Sequence, residues 1–389
     1  LNMKNFVFSI STVLLLNCLF LVSCKQKSNE HSELNLEDTK IIKQFFDEAL
    51  TTRETYALLD HLSNKIGHRL SGSEGAAKAV NWTEKVMNSY GFDKVYKQDL
   101  FVPNWKRGDK EVARIIDSKE DLSVLALGMS VPTPKDGIRA KIVEVQRLED
   151  LEILGRENIE GKIVFFNRPT DQRLITTGSA YGGAVDQRAE GPSMAAKYGA
   201  IGVVIRSVGT AFDDVPHTGG TKYKDGITKI PAAALGVKSA DRLTSALREN
   251  PNTELFMKMN CRTLKDAPSH NVIGELTGKE FPDKIITIGG HIDSWDVGHG
   301  AHDDGSGCMQ SIQVLRLFQK LGIIPRHTIR AVMFMNEENG TRGGLKYAEL
   351  AKKNMEDHLI ALESDAGAFT PRGFGVTADD TTIEKFRSW

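Results

Sequence analysis

The sequence predicts an α/β protein: a mostly parallel central sheet flanked by helices, with a smaller domain inserted into it. Three observations predict this. In the last third, apolar runs of strand length alternate with segments of helical period. The length, 389 residues, exceeds what one hydrophobic core usually serves, so two domains are expected. Between residues 120 and 264 the texture changes to short strand-like runs joined by long polar or glycine-rich connections, as for a second domain set inside the first.

From the N-terminus, residues 1–23 read as a signal segment. Met3 and Lys4 precede a mostly apolar run over 6–22, long enough for a signal-peptide core and short for a membrane span. Leu21-Val-Ser-Cys24 resembles a bacterial lipobox, which makes Cys24 the expected lipidation site. The protein is then expected to be exported to the periplasm or cell surface and anchored to a membrane through lipid rather than spanning it. A plain secretory signal or a short anchor helix are the simpler alternatives. Residues 24–38 are polar and read as a tether.

The main domain opens over 39–119. Ile42, Phe45, Phe46, Ala49 and Leu50 recur at helical spacing within 39–62. Gly67-His-Arg-Leu-Ser-Gly72 is a loop, and an amphipathic helix follows over 76–90. Gly91 stops that helix, and 94–102 alternates like a strand. Within the insertion, 120–264, strands are expected at 140–145, 162–166 and 202–205, with a helix over 192–198. It shows no catalytic constellation. His217 is a lone loop histidine, expected at the surface or at the edge of a site rather than on a metal.

The main domain resumes over 265–389. A strand at 284–288 ends in Gly289-Gly290, and a glycine-rich loop leads to a helix over 308–321. A strand at 330–335, a helix over 343–353 and a strand at 359–362 complete the alternation. Strands buried between helices on both faces imply a parallel sheet.

Composition excludes several classes. With 50 basic and 51 acidic residues the net charge is −1, and no basic stripe appears, so nucleic acid is not an expected partner. Of four cysteines, Cys18 and Cys24 belong to the signal region, leaving Cys261 and Cys308. Two are too few for a disulfide framework or a Cys-type zinc cluster, and Cys308 is expected to be buried as a small hydrophobe.

The chemistry concentrates after three consecutive strands. His291, Asp293, Asp303 and Asp304 follow the first, Glu337 and Glu338 the second, Glu363 and Asp365 the third. The carboxyl ends of strands in an open α/β sheet form a shared crevice, so these groups can converge. Carboxylates gathered there repel one another unless a cation compensates them. One imidazole and several carboxylates suit a pair of divalent metals. Any one of these short motifs alone is weak; their common placement at strand ends carries the inference.

These segments, Gly290-His-Ile-Asp-Ser-Trp-Asp-Val-Gly-His-Gly-Ala-His-Asp-Asp-Gly-Ser-Gly307, Asn336-Glu-Glu-Asn-Gly340 and Glu363-Ser-Asp-Ala-Gly367, resemble the M28 family of zinc peptidases. Arg206-Ser-Val208, Pro216-His-Thr-Gly219 and Gly67-His-Arg-Leu-Ser-Gly72 add a likeness to its carboxypeptidase Q group. The resemblance runs from about residue 40 to the end and implies that the insertion is a protease-associated domain. It implies two zinc ions. His291 and Asp365 would hold the first, Asp303 would bridge both, Glu338 would bind the second, and Glu337 would be the general base. Asp293 is suited to orient the His291 imidazole, and Asp304 to a conformational role in the Asp-Asp turn. His302 lies beside the bridging aspartate at a position that varies in the family, and is not expected to be a ligand.

The family also implies a final zinc-binding histidine on a later loop. The last histidine here, His358, precedes the strand leading to Asp365 and does not match it. The expectation is therefore an incomplete sequence, holding one zinc well and leaving a sheet edge exposed. The expected activity is an exopeptidase or dipeptidase acting on short peptides, with its cleavage direction open. A metal amidohydrolase on N-acyl amino acids and a non-catalytic peptide-binding homologue stand as alternatives. The subgroup resemblance also implies a homodimer.

Overall fold

A computed structural model describes residues 36–387. The signal segment, Cys18, Cys24 and most of the tether lie outside these residues. Among the described residues no helix is long and apolar enough to cross a membrane. Contacts divide the chain into two compact units, residues 49–369 and a smaller one made of both ends. The helix Leu36–Thr51 buries none of its side chains. The helix Asp380–Arg387 starts where Asp379 Oδ1 accepts the Thr382 amide at 3.0 Å.

The larger unit contains two sheets. The first has five strands in the order Lys94–Lys106, Arg262–Leu276, His327–Phe334, Phe281–His291, Asp357–Glu363. The last three run parallel, as the alternation of strands and helices predicts. Arg262–Leu276 runs antiparallel to both its neighbours, so the sheet is mixed rather than mostly parallel. The reason is a long ribbon. The chain leaves this sheet along Lys94–Lys106, builds the second sheet, and returns along Arg262–Leu276, which must therefore point the other way.

Helices cover both faces. Ala76, Val80 and Met87 from the helix Glu74–Tyr90 and Met309, Ile312 and Leu315 from Ser306–Lys320 pack with Val272, Ala331 and Met333 on one side. Ile273 and Val332 point to the other side, where they meet Tyr347 of the helix Arg342–Lys353. Alternation along each strand sends successive side chains to opposite layers. The helix Glu74–Tyr90 has defined ends: Ser73 Oγ accepts the Ala76 amide at 3.1 Å, and Gly91 adopts the left-handed conformation that ends a helix.

The second sheet has eight strands, drawn from residues 112–258. Its centre, Ile138–Val145, Ile163–Phe166, Gly202–Arg206 and Ala232–Leu235, is parallel. All four residues of Ile163–Phe166 are buried. Phe165 faces the layer of the helix Val237–Glu249, and Phe166 the opposite one. Cys261 and Cys308 are buried free thiols; burial raises the Cys261 thiol to about 11 and Cys308 well above its ordinary value. Neither is a reactive nucleophile.

Candidate metal centre

Strand register brings the distant motifs level. His291 is the last residue of its strand and pairs with Phe334, so the turn at Asn336–Glu338 starts beside it. On the other side Gly289 pairs with Glu363, and Asp365 follows two residues later. The loop from Ile292 to Gly300 then brings Asp303 back over the imidazole. The Asp303–Asp304 peptide is cis.

His291 Nε2 lies 3.0 Å from Asp303 Oδ1, 3.4 Å from Asp365 Oδ1 and 4.0 Å from Glu337 Oε2. One ligand atom from each of His291, Asp303 and Asp365 falls within 4.8 Å of the other two, a spacing that one metal ion satisfies. Burial opposes a charge on His291, yet Asp303, Asp365, Asp293 and Asp304 together drive it up to about 12. Burial, and then the charge of Asp303, raise Glu338 to about 9; burial, with Asp365 adding, raises Asp304 to about 8. Glu337 is raised too, first by burial and then by its acidic neighbours. So many carboxyls crowded about one imidazole suit a cation, and the residues fit a zinc ion. Toward a second ion the described residues offer Asp303 and Glu338, whose charges oppose each other.

The residues behind this cluster hold it in place. The imidazole Nδ1 meets the main-chain carbonyl of Asp293 at 3.1 Å, whereas the Asp293 carboxylate stands 3.8 Å away. Asp293 therefore orients His291 through its backbone. Its fully buried carboxylate serves the neighbouring turn: Oδ1 accepts the amides of Asn336 at 2.7 Å and Glu337 at 3.0 Å, and Oδ2 that of Glu338 at 3.3 Å. Asp304 joins strand to helix, accepting the His291 amide through Oδ2 and the Gly307 amide through Oδ1, both at 3.0 Å. That junction needs bare backbone. A Cβ on Gly290 would stand 2.3 Å from Asp304 Oδ2, and one on Gly307 would stand 1.8 Å from the Ser364 carbonyl oxygen.

Two arginines that carried no role in the sequence reading tie the 292–300 loop. Arg69 is wholly buried. Its Nε donates to the Ile292 carbonyl at 2.7 Å, Nη1 to His299 at 2.9 Å and Nη2 to Gly300 at 2.8 Å. Arg107 grips Asp296 with two hydrogen bonds of 2.8 and 2.7 Å, and the Trp295 ring packs over Gly128. The only sequence signal for either arginine was its closeness to a recognisable loop or strand end.

The other described histidines stay out of the cluster. His302 Nδ1 accepts the Ala368 amide at 3.2 Å, and its ring lies edge-on to Phe369. His358 sits at the opposite end of the sheet, between Thr287 and Glu356. His217 belongs to the rim: burial lowers its pKa, Arg188 lowers it further, and Asp303 opposes them.

Comparison with known proteins agrees with this architecture. Residues 271–389 match Peptidase family M28. Carboxypeptidase Q of Homo sapiens is 34% identical over 326 residues, covering 84% of this chain and 67% of that protein. The chain belongs to peptidase family M28. The crystal structure of an M28 peptidase precursor from Shewanella amazonensis, 36% identical, superposes with a TM-score of 0.81 over 84% of this chain and 74% of that one. A zinc aminopeptidase from Bacillus subtilis, 21% identical, shares the M28 fold with a TM-score of 0.60 over 81% of this chain and 69% of that one.

Proposed function

We propose that this M28 chain is a zinc-dependent exopeptidase or dipeptidase acting on short peptides, with Glu337 as general base. The observation that carries the reading is the cluster of His291, Asp303 and Asp365 with the Glu337 carboxylate beside it, 4.0 Å from His291 Nε2. His291 and Asp365 would hold one zinc, Glu338 a second, and Asp303 would bridge them. Bound there, the metals supply a water of lowered pKa and polarise the scissile carbonyl.

The remaining steps fall to side chains. Glu337 takes the proton from the attacking water and passes it to the leaving nitrogen, a task that suits a carboxylate standing beside the cluster, 4.0 Å from His291 Nε2. Asp293 fixes the turn that carries Glu337 and Glu338, and Asp304 fixes the strand–helix junction. The apolar run over 6–22 and Leu21-Val-Ser-Cys24 support export of the protein and a lipid anchor through Cys24.

The test is hydrolysis of free dipeptides and of N-acyl amino acids by the zinc-loaded chain and its Glu337→Gln variant. Dipeptide cleavage should fall by roughly a hundredfold or more with zinc content unchanged, the usual scale for a lost general base. Cleavage of N-acyl amino acids alone, or full activity in Glu337→Gln, would overturn the proposal.

A further inference from the structure

The loop Gly67-His-Arg-Leu-Ser-Gly72 reaches the metal centre twice. Arg69 ties the 292–300 loop, and two residues on, Ser71 meets the turn that carries Glu337 and Glu338. Ser71 and Asn336 are both wholly buried. The Ser71 hydroxyl accepts Asn336 Nδ2 at 3.0 Å and donates to Asn339 Oδ1 at 2.8 Å. Asn336 Nδ2 also donates to Asn339 Oδ1, which closes a ring of three side chains. Both hydrogens of that amide are used, and the Pro103 carbonyl, at 3.3 Å, is the weaker alternative for the hydroxyl. Asn336 Oδ1 in turn accepts the Arg342 amide at 3.3 Å, and Asn339 Nδ2 meets Met129 Sδ of the second-sheet segment at 3.5 Å.

The ring adds a constraint that the main chain does not supply. The neck of the 335–343 loop is closed by backbone: the Gly343 amide donates to the Met335 carbonyl at 3.0 Å. Asn271 accepts the Met335 amide and donates to the Gly343 carbonyl, both at 2.9 Å. Asp293 fixes the amides of 336–338. These contacts all grip backbone near the base of the loop. Asn336 has a φ of +74°, in the left-handed region that is costly for most side chains and that asparagine tolerates better. The chain reverses there, just before Glu337, so a small rotation at Asn336 swings the next carboxylate through a larger arc. The ring clamps that rotation from a loop 265 residues away in sequence.

Two amides and a hydroxyl exchange no proton at ordinary pH and offer a metal no charge, so the ring acts on geometry rather than on reacting atoms. We propose that Ser71, Asn336 and Asn339 are positioning residues that aim the Glu337 carboxylate at the His291 cluster. The inference rests on the peptidase reading and deepens it. One short loop then sets both banks of the site, the 292–300 loop through Arg69 and the glutamate turn through Ser71. A buried polar network is rigid when every group is paired, so removal of one member should loosen the other two.

Two readouts test it on the zinc-loaded full chain, with Ser71→Ala, Asn336→Gly and the double variant. Glycine keeps the left-handed backbone at 336 while deleting the amide. In Ser71→Ala, hydrogen–deuterium exchange over 335–340 should quicken by about tenfold or more, although the substitution lies outside that segment. Unchanged protection of Ile163–Phe166 shows that the fold survives. With a dipeptide substrate, kcat should fall by about ten- to a hundredfold at saturating zinc and KM stay within about threefold, since Glu337 is displaced and not the bound peptide. The double variant should lose little more than the worse single one, because the three side chains act as a unit. Unchanged exchange over 335–340, protection lost throughout the chain, kcat within about twofold of the parent, a loss confined to KM, or losses that multiply in the double variant overturns the proposal. A parent chain that hydrolyses no dipeptide sinks the peptidase reading alone, and exchange then still decides whether the ring holds the turn.

Discussion

Exchanging Asp293 for asparagine probes how the turn at Asn336–Glu338 is held. The fully buried carboxylate accepts three successive amides, at 2.7, 3.0 and 3.3 Å. Asparagine keeps one oxygen for the amides of Asn336 and Glu337 but turns an NH2 group toward that of Glu338, donor against donor. One charge-assisted bond is lost and the others weaken, a cost of roughly 2–4 kcal/mol in folding stability. The turn carries Glu337 and Glu338, so a shift of a few tenths of an ångström reaches the proposed base and a proposed metal ligand together. Zinc affinity should drop by about ten- to a hundredfold, as for other lost supports behind a ligand. At saturating zinc, kcat should still fall by about tenfold or more, because misplacement of a reacting group is costly. Chelator competition measures the first quantity, and steady-state kinetics at high zinc the second. If Asp293→Asn binds zinc and turns over within twofold of the parent, the carboxylate does not hold the turn and this account of the site fails.

Two more outcomes follow from the same geometry. Arg69→Met strands the carbonyls of Ile292, His299 and Gly300, so urea denaturation should show a loss of about 3–5 kcal/mol, and a loss below about 1 kcal/mol would count against the role given to Arg69. In the metal-free chain, Glu338 and Asp304 keep protons up to about 9 and 8 that the unfolded chain releases near 4.5 and 3.8, so their contribution is present in acid and fades as pH rises through that window. His291, raised to about 12, acts in the same direction above its ordinary 6.5. Zinc displaces these protons, so it should raise the melting temperature more at pH about 8 than at about 6 in differential scanning fluorimetry; the reverse order would refute the assignment.

The candidate-site positions were legible because the three strands that precede them follow one another closely in sequence and carry apolar runs such as Ile285-Ile-Thr-Ile288 and Ala331-Val-Met-Phe334. Periodicity alone put His291, Glu337, Glu338 and Asp365 after three neighbouring strands. The reversed strand Arg262–Leu276 was hidden because its outer half is charged, exposed and interrupted by Pro268. Ala232–Leu235 was hidden by three alanines, whose weak strand preference is overridden by complete burial between layers. Spacing also could not reveal which oxygen of Asp293 meets the imidazole. It could not anticipate Arg69 either, whose hydrogen bond to Ile292 spans 223 residues of sequence. Such contacts depend on tertiary packing, which local pattern does not encode.

The indole of Trp295 lies where a Cβ on Gly128 would approach it to 2.0 Å. The loop that delivers Asp303 is thus moulded on the backbone of the other sheet, and the two sheets are not interchangeable parts. A chimera that borrows its second sheet from a relative would inherit a working metal loop only if the donor also left that backbone bare opposite the indole. Evolution faces the same restriction: drift at a remote glycine and at the aromatic of the metal loop must stay in step, and recombination breakpoints between them should be rare.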